Sequence, residues 1–108
     1  MGEAVIVSVA RTPIGRAFRG AFNDTDAAAL SGHAVSEAVK RAGIDPALVE
    51  DVIIGAASQQ GNQSYNIGRL TAASAGLPMS VAGMSVDRQC SSGLMALAIA
   101  SKQVSHDG

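Results

Sequence analysis

Charged side chains are scarce in this chain. Only 16% of its 108 residues are Asp, Glu, Lys or Arg, against about 25% in ordinary globular proteins. The formal net charge is -1, so nothing marks a nucleic-acid or membrane-surface partner. Cysteine is reduced to one residue, Cys90. An internal disulfide is therefore impossible, and a reducing compartment fits. The longest unbroken apolar run, residues 94–100, is far too short for a bilayer span, which takes about 20 residues. The opening Met-Gly-Glu-Ala-Val-Ile-Val has no basic leader, and Arg11 and Pro13 soon break its apolar run. It is not read as a secretory signal. Gly2 does not read as a myristoylation site, because Ile6 stands where Ser or Thr is wanted. The expectation is a soluble, cytoplasmic protein.

What is abundant is apolar surface. With its 12 glycines counted and its single tyrosine left out, the chain is about 57% apolar, against a usual 45–50%. A chain this short forms one small domain and hides only about 65% of its unfolded surface. So much apolar matter with so little polar skin predicts an interior-rich part of something larger, such as an oligomer.

The pattern along the chain alternates strand and helix. Val5, Ile6, Val7 and Val9 form a β-branched run that predicts a strand buried on both faces. A loop over residues 14–24 follows. Asp24 or Thr25 is expected to cap a helix reaching Ala42, with Ala28, Val35, Val39 and Ala42 on one face and Gly43 at the left-handed stop. Asp45-Pro46 opens a short helical turn to Glu50. Residues 52–56 read as a second buried strand and 58–64 as polar loop. A helix is expected over 65–75, stopping at Gly76 before Pro78. Residues 81–87 read as a third strand and 91–104 as a last helix. This order predicts an α/β protein with a largely parallel sheet. Leu94, Met95, Leu97, Ala98, Ile99 and Val104 fit no single stripe of the last helix. A helix apolar nearly all round is normally buried on nearly all sides, and the chain holds no obvious cover for it.

The segment Asp87-Arg88-Gln89-Cys90-Ser91-Ser92-Gly93 lies between the third strand and that helix. Cys90 is thereby placed at a helix N-terminus, where unpaired N–H groups and the positive dipole end favour an anion. A thiolate there is a better nucleophile. The backbone N–H groups can hold a thioester oxygen as it turns into an oxyanion. Ser91, Ser92 and Gly93 are small and would let an acyl thioester come close. Arg88 adds a positive charge two residues before the sulfur. A lone cysteine in an apolar chain is more often a small buried hydrophobe. On the residues alone, core filler and nucleophile both stay open.

The same segment resembles the nucleophile signature of thiolases, Asn-Arg-x-Cys followed by two small residues and Gly, with Asp87 in place of the commoner Asn. Four further segments are similar to that family in the same order: Ala10-Arg11-Thr12-Pro13-Ile14-Gly15 with Gly20-Ala21-Phe22, then Val52-Ile53-Ile54-Gly55, then Asn66-Ile67-Gly68-Arg69, then Ala75-Gly76-Leu77-Pro78. The resemblance covers the whole chain. It implies a thiolase fold, layered α-β-α-β-α in the full enzyme, of which residues 1–108 would be the first β-α-β-α-β-α portion of the N-terminal domain. The loop domain and C-terminal half would lie outside these residues. It implies an acyl-CoA C-acyltransferase. Cys90 would take an acyl group from one thioester, and the carbanion of a second acetyl-CoA would attack it. In the reverse direction a 3-ketoacyl-CoA would be cleaved, with the shortened chain held on Cys90. Coenzyme A thioesters are then substrates, and no cofactor or metal is expected. The resemblance places Gly61-Asn62-Gln63-Ser64, with Asn66 and Arg69, near a contact between subunits of a homodimer or homotetramer. It also calls for an activating His in a Gly-His-Pro motif, a second Cys and an Asn that holds a water, none of which is in this chain.

Two other readings compete. One is a condensing enzyme of the ketoacyl-synthase type, which the opening Ala-Arg-Thr-Pro-Ile-Gly and the Arg-Gln-Cys-Ser-Ser-Gly context disfavour. The other is a non-catalytic thiolase-like binding module, which the missing partner residues favour and the intact cysteine motif disfavours. His33 reads as a plain helix residue. His106 at a helix end is favoured by the dipole, but it has no Gly-His-Pro context. Arg11, Arg16 and Arg19 lack a glycine-rich phosphate loop and read as surface residues.

Overall fold

A computed structural model describes residues 2–107. Two parallel strands, β1 (Asp51–Gly55) and β2 (Ala82–Val86), pair in register from Asp51 opposite Ala82 to Gly55 opposite Val86. Helices α1 (Ala27–Ala42) and α2 (Ile67–Ser74) pack together, and α2 lies on the sheet. Helix α3 (Ser92–Lys102) packs on β1 and runs on into a π-helical turn, Gln103–Asp107.

The core sits between the α1–α2 pair and the sheet. Val52, Ala72, Leu77 and Val81 form its centre, with Val35 and Val39 of α1 packed against it. A second cluster joins Ala28, Ala56 and Ile67. Helix α1 therefore presents the predicted face inward. It starts later than expected. Asp26, not Asp24 or Thr25, is its N-cap: the Asp26 C=O accepts the first helical bond, from Leu30 N–H at 3.0 Å. Its end is as predicted: Gly43 takes φ +68°, which glycine adopts without a Cβ clash. The 3-10 turn Pro46–Leu48 opens with the Asp45 carboxylate accepting from Ala47 N–H at 3.0 Å. Ser31 of α1 and Thr71 of α2, the latter fully buried, share a 2.6 Å hydroxyl contact that ties the two helices.

Two expected elements are corrected, one strand and one helix. Val5, Ile6, Val7 and Val9 belong to no strand and are each about 71–72% exposed. A β-branched run makes a strand possible, but a strand exists only where a neighbouring edge takes its N–H and C=O groups. This segment has no such ladder among the described residues. It is held by Arg41, whose Nη1 donates to Val9 C=O at 3.0 Å, while Ala4, Val5 and Ile6 border a shallow cavity against α3. The described sheet thus has two strands, not three. The predicted 65–75 helix is also shorter, because Tyr65 and Asn66 both take positive φ, at 59° and 61°, and cannot be helical.

The all-round apolar character of α3 is visible as exposure. Ala96 is buried, yet Leu94 is 70% and Leu97 52% exposed. No helix among the described residues is long and apolar enough to cross a membrane.

Candidate active site

The end of the sheet decides where Cys90 stands. The last ladder bond runs from Ala56 N–H to Val86 C=O at 2.9 Å, and the chain then leaves β2 through Asp87 and Arg88. Gln89 takes φ +51°, in the left-handed region. That region costs an L-residue with a side chain roughly 1–2 kcal/mol, so local bonds must hold it. They are present. The Asp87 Oδ1 accepts from Gln89 N–H at 2.9 Å. Ser92 Oγ accepts from Arg88 N–H at 2.9 Å and donates to Gln89 C=O at 2.6 Å. Ser91 N–H and Oγ both donate to Arg88 C=O, at 3.1 and 3.0 Å, and Ser92 N–H donates to Gln89 C=O at 3.1 Å. The Cys90 N–H takes part in none of these bonds.

Cys90 is exposed at the apex of this turn, one residue before Ser91, the N-cap of α3. Its location at the start of the last helix is as the sequence predicted. Within these residues Cys90 is not packed as core filler. Asp87 also finds its place: the turn uses a side-chain oxygen as acceptor, which a carboxylate supplies as well as an amide does. The small residues after Cys90 divide. Ser91 and Gly93 are exposed and leave the sulfur open, as close approach requires. Ser92 departs from that expectation. It is 4% exposed, and its hydroxyl is turned into the chain, so its side chain is not part of the open face.

The helix start is brought onto the sheet by Gly55. A Cβ there would collide with the backbone of Ser92 and Gly93. The last residue of β1 and the first turn of α3 are therefore in backbone contact, which fixes the height of Cys90 above the strand ends. The sequence marked Gly55 only as part of a strand motif. Its position at the end of a β-branched run was the available signal.

Asn66 fastens α2 to β2, and Arg69 fastens it to the segment leading into β2. Asn66 Nδ2 donates to Gly83 C=O at 2.8 Å, and its Oδ1 accepts from Arg69 N–H at 3.3 Å and Ser85 Oγ at 3.2 Å. Arg69 Nη1 and Nη2 donate to Val81 C=O at 2.9 Å and Met79 C=O at 3.2 Å. These roles within the chain were not foreseen from the sequence. They hold the strand whose end carries Cys90. His33 is exposed on α1 and His106 in the final turn, and neither is hydrogen-bonded to Cys90. Arg11, Arg16 and Arg19 are all exposed, as expected. Among the described residues no cluster of His, Cys, Asp or Glu is arranged to hold a metal ion.

A turn of this kind can do one thing well. It presents a single sulfur at a helix start, open to solvent, beside an N–H left out of the turn's own bonding. That combination suits attack on a carbonyl carbon and stabilisation of the resulting oxyanion.

Comparison with known proteins points the same way. Residues 4–107 match the family described as "Thiolase, N-terminal domain". The chain is 42% identical over 104 residues to a 3-ketoacyl-CoA thiolase of Bacillus subtilis, covering 96% of this chain and 27% of that protein. It is 39% identical to a 3-oxoadipyl-CoA/3-oxo-5,6-dehydrosuberyl-CoA thiolase of Escherichia coli, over 96% of this chain and 26% of that one. The crystal structure of the Bacillus anthracis acetyl-CoA acetyltransferase superposes with a TM-score of 0.89 at 38% identity, over 96% of this chain and 26% of that one. The chain thus spans about a quarter of the length of the curated relatives it matches.

Proposed function

This chain belongs to the thiolase family, matching its N-terminal domain, and from that premise we propose that it supplies the nucleophile of an acyl-CoA C-acyltransferase. The Cys90 thiolate attacks the thioester carbonyl of an acyl-CoA. The carbon–sulfur bond to coenzyme A breaks, the acyl group is left on Cys90, and coenzyme A leaves as a thiolate that takes up a proton. A second acetyl-CoA gives up an α-proton to a base from outside these residues, and its carbanion attacks the acyl carbon. A carbon–carbon bond forms as the bond to the Cys90 sulfur breaks, restoring the thiolate. In the thiolytic direction the thiolate attacks the 3-keto carbon of a 3-ketoacyl-CoA, and the bond between C2 and C3 breaks. Acetyl-CoA leaves as a carbanion that takes up a proton, and the shortened acyl group passes from Cys90 to the sulfur of coenzyme A, restoring the thiolate. The N–H of Cys90 would donate to the carbonyl oxygen as it becomes an oxyanion. Ser91 and Gly93 keep the approach to the sulfur narrow in bulk and open to the thioester. The His, second Cys and Asn that the reaction also needs would come from outside these residues.

The observation that carries this reading is the exposed Cys90 held at the start of α3 on a left-handed Gln89. Exposure with an ordered turn beneath it is what a nucleophile needs and what a buried structural cysteine lacks. The same reading takes the enzyme to be a cytoplasmic homodimer or homotetramer, with residues 61–64, Asn66 and Arg69 near the subunit contact. Tyr65, 91% exposed at a positive φ, supports a partner surface there.

The test is acyl-enzyme trapping in the full-length protein that carries these residues. Incubation with labelled acetyl-CoA, quenching in acid and peptide mass analysis should place acetyl on the peptide containing Cys90. Cys90→Ser should abolish the label, since a hydroxyl is far less acidic than a thiol and stays protonated where a cysteine supplies a thiolate. Label retained in that variant, or found on another residue, would overturn the assignment.

A further inference from the structure

The hydroxyl of Ser92 is oriented the wrong way for its place in the helix. A serine in the first turn of a helix normally turns to water or caps free N–H groups ahead of it. Ser92 is the first residue of α3, is 4% exposed, and bonds backward. It accepts from Arg88 N–H and donates to Gln89 C=O, the groups on either side of the left-handed residue. Ser91, the N-cap, makes no side-chain cap bond. Helix α3 therefore gains no cap from either serine. What gains is the turn.

From this we infer that Ser92 is a positioning residue for Cys90: its buried hydroxyl bolts both flanks of Gln89, holding φ positive there and so fixing the direction in which the Cys90 sulfur leaves the turn. The inference deepens the proposed function and rests on it for the chemistry, though not for the geometry. The C=O that Ser92 holds belongs to the peptide joining Gln89 to Cys90. Without the hydroxyl, the Ser92 N–H still reaches Gln89 C=O, but the link to Arg88 N–H and the second bond on that C=O are gone, so relaxation of Gln89 toward the favoured negative φ is easier. That peptide would then rotate, and Cys90 would swing away from the helix start. The close contact of Gly55 with the Ser92 backbone keeps the bolt itself in place. The Asp87 carboxylate braces the same residue from the other side, through Gln89 N–H, so loss of Ser92 should loosen the turn rather than dissolve it.

The test separates orientation from packing. In the full-length protein, single-turnover acetylation of Cys90 by acetyl-CoA is compared for wild type, Ser92→Ala, Gln89→Gly and the double variant. Losing two local bonds predicts a fall in acetylation rate of about tenfold to a hundredfold in Ser92→Ala, with KM for acetyl-CoA changed by less than about threefold, a split expected when only transition-state alignment is lost. Glycine at position 89 adopts positive φ without the Cβ penalty. The double variant should therefore recover at least about tenfold of any hundredfold loss. A serine that only filled space would not be rescued from a second site. Thermal unfolding of each variant establishes that the folded form is compared. If Ser92→Ala does not fold, the double variant alone decides: folded and acetylating supports the inference, folded and inert overturns it. Wild-type rates in Ser92→Ala, or no recovery in the double variant, also overturn it. If wild type itself takes no acetyl group, the proposed function fails. The rate of Cys90 alkylation by iodoacetamide, which needs no acyl-CoA chemistry, then tests the positioning: Ser92→Ala altered and the double variant restored supports it, and equal rates in all variants refute it.

Discussion

Replacing Gly55 by Ala adds one methyl group at the point where β1 and α3 touch. The new Cβ would meet the carbonyl carbon and oxygen of Ser92 and the amide nitrogen of Gly93, all backbone atoms. No side chain can rotate aside to make room. Relief requires the first turn of α3 to rise off the strand end by about 1 Å, since unbonded carbon atoms settle near 3.5 Å apart. Forced overpacking of this kind costs about 1–3 kcal/mol. The rise also carries Cys90, two residues before Ser92, away from any acyl group positioned by the rest of the enzyme. A misplacement of about 1 Å is worth about a hundredfold in rate. Single-turnover acetylation of the full-length Gly55→Ala protein should therefore slow by roughly that factor, with a lowered thermal midpoint. Gly93→Ala is the matched comparison. A Cβ at Gly93 meets nothing within 4 Å, and alanine in a helix is favoured over glycine by about 0.5–1 kcal/mol. That variant should hold or raise the thermal midpoint and acetylate at close to the wild-type rate, since nothing has to move to take the methyl group. Gly55→Ala acetylating at the wild-type rate would refute the idea that backbone contact at the sheet end sets the height of the nucleophile.

Two further predictions concern the scaffold. Asn66→Ala removes three side-chain bonds, two to β2 and one capping α2, and puts alanine at φ +61°; a loss of about 2–3 kcal/mol is expected from the cap and the backbone together, and Asn66→Gly should cost less because glycine tolerates that φ, so thermal midpoints in the reverse order would count against the left-handed cap. Residues 1–108 expressed alone should self-associate and show no thiolysis of acetoacetyl-CoA, because both described strands are edge strands and Leu94, Leu97 and Val104 stand exposed on α3. A soluble monomer with a sharp unfolding transition, seen by size-exclusion chromatography and circular dichroism, would refute the structural half, and turnover above background the catalytic half.

Most of the helices were legible because local rules decide them. Gly43 and Gly76 end helical segments where predicted, since a left-handed residue is needed and glycine supplies it. The Asp45-Pro46 start needs only its own side chain and the next two residues. Strands β1 and β2 were found within a residue at each end from their apolar runs. The site was legible in its identity. Cys90 between a strand and a helix, in a thiolase-like signature, is a statement about order along the chain, and order is what a sequence contains.

Tertiary structure decided the rest. Val5 to Val9 carry the strongest strand pattern in the chain yet stand outside the sheet, because a ladder needs a second edge and periodicity cannot say whether one is within reach. Tyr65 and Asn66 leave the predicted helix because the Asn66 amide is held by Gly83 and Ser85, residues 17 and 19 positions away. Ser92 was read as a small residue beside the substrate path, and its burial and backward bonds became visible only once α3 was set down on Gly55. Local patterns record what each residue prefers by itself. Which way a hydroxyl turns, and how high a sulfur stands above a sheet, depend on contacts between segments tens of residues apart, where excluded volume and hydrogen-bond geometry choose among conformations that the local sequence leaves nearly equal.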